Sequence, residues 1–223
     1  MIDVEGRAME SGGASTSAVY GMLAAAIADR GLARGTLIDV GCGNGTLAGE
    51  LVHGNWRYIG VDVVRHPGFP AGCEFVLSNL DQDRIPIADG HADVVVSAET
   101  IEHVENPRAL MRELVRLARP GGWVFVTTPN QLSLASLLCL LARGEFQYFQ
   151  KGPGMYPAHI TALLEIDLRR IADECSLVDI HVRKGQGKPA YSIFEGTTDD
   201  GSTMRIAARP GARVRCTTPR GTV

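Results

Sequence analysis

Five short apolar runs restrict what this chain can become more than any other feature: TLIDV (36–40), WRYIGVDV (56–63), CEFVLS (73–78), ADVVVSA (92–98) and GGWVFVTTP (121–129). A strand wetted on one face alternates apolar with polar residues, whereas ADVVVSA is apolar almost without a break. Such a strand is buried on both faces. Helical stretches lie between the runs, one from about Thr46 and one from Asn106 to Ala118. Strand and helix in turn, with both strand faces apolar, specify a mainly parallel sheet covered by helices on each side. Ligands of such sheets sit at the carboxyl ends of the strands, which directs attention to the loops after Val40, Val63, Leu77 and Ser97.

With 223 residues the chain has material for one well-buried domain, expected over residues 16–195. SAVYGMLAAAIADR reads as its opening amphipathic helix, while residues 1–15, small, polar and glycine-containing, are expected to be disordered. Beyond the fifth run, QLSLASLLCLLARG and ITALLEIDLRRIADECS read as helices flanking EFQYFQKGPGMYPAH, and residues 131–175 are expected to form a lid or acceptor insertion. LVDIHVRK (177–184) and AYSIF (190–194) read as closing strands. Residues 196–223, with five arginines and no acid after Asp200, are expected to be a poorly ordered tail.

Composition excludes several classes. A net charge of −3 supplies no general pull towards nucleic acid. The five cysteines are scattered and include no CxxC pair, so neither a disulfide framework nor a zinc knuckle is indicated, and a reducing cytoplasm is the expected location. The first residues lack the basic start and apolar core of a secretion signal. The longest apolar run, Leu132 to Ala142, is interrupted by serines and too short to span a bilayer, so no membrane partner is expected.

The sharpest motif is LIDVGCGNGTLAGEL (37–51), in which a buried strand ends in Asp39 and opens into Gly41, Gly43 and Gly45 before a helix. Glycines let the backbone turn tightly and pass close to a ligand. In the dinucleotide fingerprint the third glycine follows the second by three residues; here the gap is two, which argues against a nicotinamide or flavin enzyme. Asp62, 17 residues beyond Gly45 at the end of the second run, stands where an acid can accept the ribose hydroxyls of an adenosine.

Together the glycine loop, Asp62, the stretch SNLDQDRIPIADGHADVVVSAETIEHVENP and LARPGGWVFVTTPN resemble the class I S-adenosylmethionine-dependent methyltransferase superfamily over roughly residues 16–180. That resemblance implies a Rossmann-like, doubly wound, seven-stranded, mainly parallel sheet in a three-layer αβα sandwich. It implies S-adenosylmethionine as cofactor, S-adenosylhomocysteine as product, and cofactor contacts from Asp39, Gly41, Cys42, Gly43, Gly45, Asp62, Val63, Asn79, Leu80 and Ala98. Many relatives carry an acid near Asn79 for the adenine amino group; here Asn79, or Asp81, must serve. The bland alternative, a plain tight turn with Asp62 as a solvated strand end, is disfavoured by the joint spacing.

Methyl transfer needs acceptor and methyl held in line and, for a hydroxyl acceptor, a base. In AETIEHVENP, Glu99, Glu102 and His103 fall at i, i+3 and i+4, one side of a helical turn. His103 is the first candidate base, with His159 and Glu102 beside it in the expected catalytic set. A second reading is a divalent ion on Glu99, Glu102, His103 and His159, which resembles the ExxEH element of small-RNA 3′-terminal 2′-O-methyltransferases. The metal-free reading is preferred, because many small-molecule methyltransferases carry a similar Glu-His pair without metal. A third is structural, with Glu102 and His103 orienting the helix and His159 starting another. Tyr148, Phe149, Tyr156 and His159 are expected to wall a small-molecule acceptor, and TTPNQLSLASLL with ARGEFQYF and PAHI resembles methyltransferases of bacterial glycan and natural-product pathways. An RNA methyltransferase using the arginine tail, and a non-catalytic cofactor-binding domain, are the competing classes.

Overall fold

The computed structural model describes residues 4–10, 12–51, 54–82, 84–150, 159–184 and 191–199. Tyr156, the arginines beyond Asp200 and the middle of the aromatic loop lie outside the described residues.

Seven strands form one sheet: β1 (Arg34–Val40), β2 (Asn55–Asp62), β3 (Glu74–Leu77), β4 (Ala92–Ala98), β5 (Ala118–Pro129), β6 (Leu177–Lys184) and β7 (Tyr191–Thr198), in the order β3-β2-β1-β4-β5-β7-β6. The five apolar runs pair in parallel, and β7 runs antiparallel to both β5 and β6. The helices are α1 (Val4–Glu10), α2 (Ser17–Asp29), α3 (Thr46–Glu50), α4 (Pro107–Leu117), α5 (Leu134–Arg143) and α6 (Glu165–Glu174).

The continuous apolar strands do what their composition requires, feeding two cores at once. Val95 of β4 packs on one face with Leu110, Met111, Leu114 and Leu117 of α4 and Leu168 and Ile171 of α6. Its neighbours Val94 and Val96 pack on the other, with Val19, Leu23 and Ile27 of α2 and Leu47 of α3. Asn106 caps α4 by accepting the Ala109 N–H at 3.0 Å, and Pro107 follows at the first helical position, where a missing N–H costs nothing.

Three elements depart from the sequence reading. Val4–Glu10 form a helix where disorder was expected. β7 extends to Thr198, past residue 195, because Glu195 is fully buried in the strand and held by Arg30 at 2.8 Å and Arg183 at 3.0 Å; the acid that looks like the start of a polar tail is neutralised inside the sheet. The expected helix beginning at Ile160 begins only at Glu165, since the Ile160 and Thr161 amides donate to the Glu102 carbonyl at 2.9 and 3.0 Å instead.

Between β2 and β3, residues 63–73 form no helix, and Phe69 packs edge-on against Phe75 at 5.1 Å. α5 buries Ser136 and leaves Leu134, Leu138 and Leu141 exposed. No helix among the described residues is long and apolar enough to cross a membrane.

Candidate functional site

The glycine loop leaves β1 with Gly41, Gly43 and Gly45 at φ of 78°, 52° and 74°, the left-handed region where a Cβ is strained. Their lack of side chains is also used by the chain itself: a Cβ would overlap Thr100 at Gly41, the Gly13 carbonyl at Gly43 and Pro70 at Gly45. The Gly41 and Cys42 amides donate to the Val61 carbonyl at 2.8 and 3.1 Å, tying the loop to β2. Asp62, the last residue of β2, accepts the Gly43 N–H on Oδ2 at 2.8 Å and the Val63 N–H on Oδ1 at 2.7 Å. Loop and acid are one hydrogen-bonded unit. Burial raises the Asp62 pKa, and these amides, with His66 nearby, offset part of the rise.

Asp39 is 1% exposed and accepts the Tyr58 hydroxyl on Oδ2 at 2.6 Å. Burial pushes its pKa up to about 7, with Tyr58 opposing and the charge of Asp62 adding. Its Oδ1 is buried without a hydrogen-bond partner among the described residues. An orphaned acceptor at the mouth of the glycine loop fits a ligand bearing an ammonium group, as the methionine end of S-adenosylmethionine does.

The remaining cofactor candidates are placed unevenly. The Cys42 side chain turns into the core against the position of Gly60, so only its backbone faces the loop. Val63 is half-buried directly after Asp62, and Ala98 is buried at the end of β4. Asn79 and Leu80 are half-buried after β3, where Asn79 Oδ1 accepts the Asp81 N–H at 3.0 Å. Asp81 Oδ1 accepts the Glu105 N–H at 2.7 Å, which ties it to the loop after β4.

The second half of the site follows β4. Glu99 sits at φ 50°, and its amide donates to the Thr127 hydroxyl at 3.0 Å. A non-glycine residue held there is strained by roughly 1–3 kcal/mol, strain that gathers at functional positions. Because of that bend, residues 99–103 are not the regular helical turn the spacing suggests. Glu102 is fully buried, and neither of its carboxylate oxygens makes a hydrogen bond among the described residues. Burial raises its pKa to about 8, offset only in part by its own amide and the Thr128 hydroxyl. Burial and the charge of Glu102 raise Glu99 well above the carboxylate range.

His159 directly precedes the irregular segment whose Ile160 and Thr161 amides bond the Glu102 carbonyl. Its Nδ1 lies 2.9 Å from the Tyr148 carbonyl and its Nε2 4.0 Å from Glu102 Oε1. A carbonyl only accepts, so Nδ1 carries the proton and Nε2 offers its lone pair towards Glu102. Burial, then His103, lowers the His159 pKa to about 4, so the ring is neutral at pH 7. His103 meets His159 edge-on with ring centroids 4.6 Å apart, and one ligand atom from each of Glu102, His103 and His159 falls within 4.8 Å of the others. Glu99 stands outside that group of three. Phe149 lies 5.3 Å from His159, and Tyr148 is buried beside them, bonding through its backbone.

Three further residues border the site without a mark in the sequence: Gly13, Tyr20 and His66. Their signal is tertiary, since Gly13 belongs to a segment that reads as tail, Tyr20 to an ordinary helix and His66 to a short loop.

Residues 18–180 match a family described as Methyltransferase domain. A ubiquinone biosynthesis O-methyltransferase of Burkholderia pseudomallei is 27% identical over 186 residues, covering 79% of this chain and 78% of the relative. Among solved structures, 1,6-didemethyltoxoflavin-N1-methyltransferase of Burkholderia thailandensis, with S-adenosylhomocysteine bound, aligns with a TM-score of 0.60 at 14% identity, covering 82% of this chain and 80% of its own. A putative S-adenosyl-L-methionine-dependent methyltransferase of Methanococcus maripaludis aligns at 0.58 and 20% identity, covering 89% and 95%. With the Rossmann-like sheet, the glycine loop and its bonded acid in place, the chain belongs to the methyltransferase domain family and is an S-adenosylmethionine-dependent methyltransferase.

Proposed function

We propose that this methyltransferase acts in the cytoplasm on a hydroxyl group of a small molecule, of a glycan or natural-product kind, with His103 as the base. The observation that carries the reading is the Glu102–His103–His159 group at the carboxyl end of β4, where the Tyr148 carbonyl fixes the tautomer of His159. S-adenosylmethionine, when bound, supplies an electrophilic methyl group on a sulfonium. Asp39, Gly41, Gly43, Gly45, Asp62, Val63, Asn79, Leu80 and Ala98 are assigned to holding it, Cys42 contributing backbone only. His103, half-buried, takes the hydroxyl proton as oxygen attacks. His159 and Glu102 stand behind it as positioning residues, and Phe149 and Tyr148 wall the acceptor. The name of the relative that is 27% identical supports oxygen as the acceptor atom.

The test is methyl transfer from labelled cofactor to a panel of phenolic and sugar hydroxyls, comparing wild type with His103→Gln. The expected result is an O-methylated product and a fall in kcat of about 10²-fold or more, the usual contribution of a general base, with S-adenosylhomocysteine affinity unchanged. N- or C-methylated product, or an undiminished rate, sinks the reading.

One observation favours a second reading. A fully buried carboxylate with both oxygens unpartnered among the described residues, grouped with two imidazoles, fits a divalent cation of borderline softness. Glu102, His103 and His159 would hold it, and it would supply Lewis-acid polarisation of the acceptor hydroxyl. Loss of activity on chelation, restored by one divalent ion, selects this reading; indifference to chelation selects His103 as base.

A further inference from the structure

We propose that residues 12–16 form a strap that closes over the cofactor crevice, latched at Gly13, and that the cofactor leaves only when the strap lifts. The inference rests on the assignment of that crevice to the cofactor. The Gly13 carbonyl accepts the Asn44 N–H at 2.7 Å, in the middle of the glycine loop, and approaches Gly43 so closely that a side chain there would overlap it. The other side of Gly13 lies on His66, where an added Cβ would fall 2.6 Å from the imidazole. His66 is buried four residues beyond Asp62, so the strap touches both loops that frame the crevice.

The strap is built to seat in one way. Gly12 and Gly13 adopt φ of 71° and 60°, two successive left-handed positions that bend the chain sharply back from α1. Two residues on, the Ser15 N–H donates to the Tyr20 hydroxyl at 2.9 Å. Tyr20 belongs to α2, is 5% exposed, and is near enough to feel the charges of Asp39 and Glu99, so the anchor stands between the two halves of the site. With the strap down, Asp62 is 7% and Asp39 1% exposed. The carboxylates assigned to the cofactor are thus buried beside the two loops that the strap bridges, and in this proposal a ligand reaching them displaces it. Lifting it breaks the Asn44–Gly13 and Ser15–Tyr20 hydrogen bonds and the glycine–imidazole contact, all local to the loops, so the strap can open without disturbing the sheet.

Stopped-flow binding of S-adenosylhomocysteine to the full chain tests this, with hydrogen exchange followed over residues 12–20. Gly13→Ala cannot seat without strain and collision, and its dissociation rate is expected to rise about tenfold or more while the association rate changes far less. His66→Ala in the Gly13→Ala background recovers part of the loss by removing the collision. In the wild type, ligand slows exchange of residues 12–20, and Tyr20→Phe, which keeps the ring and removes the acceptor for Ser15, reduces that protection. Melting curves matching wild type show that the variants are folded. A dissociation rate for Gly13→Ala within about twofold of wild type, with no ligand-dependent protection of residues 12–20, overturns the strap. Failure of the wild type to bind S-adenosylhomocysteine overturns the crevice assignment itself, and the strap's role with it.

Discussion

The site joins two halves that treat buried acids in opposite ways. Beside the glycine loop, Asp62 is bonded to the Gly43 and Val63 amides and Asp39 to the Tyr58 hydroxyl, so each carboxylate has a fixed orientation. Beyond β4, Glu102 is buried as deeply and Glu99 in part, yet neither oxygen of the Glu102 carboxylate has a hydrogen-bond partner among the described residues. A bonded acid holds a shape. An unbonded buried acid is an unmet demand for a proton, a cation or a ligand dipole, and proteins retain such groups where chemistry uses them. The difference teaches that, on the proposed assignment, the cofactor half is largely oriented by its own hydrogen bonds, with Asp39 Oδ1 left over for the ligand, whereas the acceptor half is completed by what it binds.

The largest effect that would break this contrast is expected at Asp62. Asp62→Ala removes an oriented charge and strands the Gly43 amide, which should weaken S-adenosylhomocysteine binding roughly ten- to hundredfold, as loss of a charge-assisted hydrogen bond does. An unchanged Kd by calorimetry would show that the orientation serves the fold alone.

Glu102 should respond in the opposite sense. Its folded pKa of about 8 lies above the ordinary 4.5, so the folded state holds a proton that the unfolded state releases; the stability this confers is complete below pH 4.5 and is lost as pH rises through about 8. Glu102→Gln keeps the shape without the charge. It should raise Tm at pH 8 by about 2–4 °C or more, the shift worth one kcal/mol in a chain of this size, and flatten the slope between pH 5 and 8. His159 opposes it: with its pKa lowered to about 4, stability is lost as pH falls from 6.5 through that value, and His159→Gln should remove that acid limb.

The smallest effect sharpens the comparison within the ordered half. Tyr58→Phe leaves Asp39 with both oxygens unsatisfied and should cost about 1–3 kcal/mol in urea unfolding. A neutral result would mean that Asp39 is no better bonded than Glu102.

How much of this was legible in the residues follows the same division. The apolar runs and the glycine–acid spacing are local and periodic, so the sheet and the placing of Asp62 beside the glycine loop could be read directly, LVDIHVRK to the residue. The acceptor half depends on tertiary choices. Nothing local marks residues 160–164 as non-helical, because what defeats their helix is the Glu102 carbonyl, over fifty residues earlier. Nor could Glu195 be recognised as sheet interior without the distant Arg30 and Arg183 that neutralise it.

β7 is the last described strand to be synthesised, yet it lies inside the sheet, between β5 and β6. A nascent chain still lacking residues 191–198 has β5 and β6 without the strand that joins them and Arg30 without Glu195, and the sheet cannot close during most of translation. Completion is thus confined to the moment after these residues leave the ribosome, when slow pairing between distant strands leaves exposed edges vulnerable to other chains. Stop codons just before Tyr191 should therefore yield aggregates rather than a smaller folded enzyme.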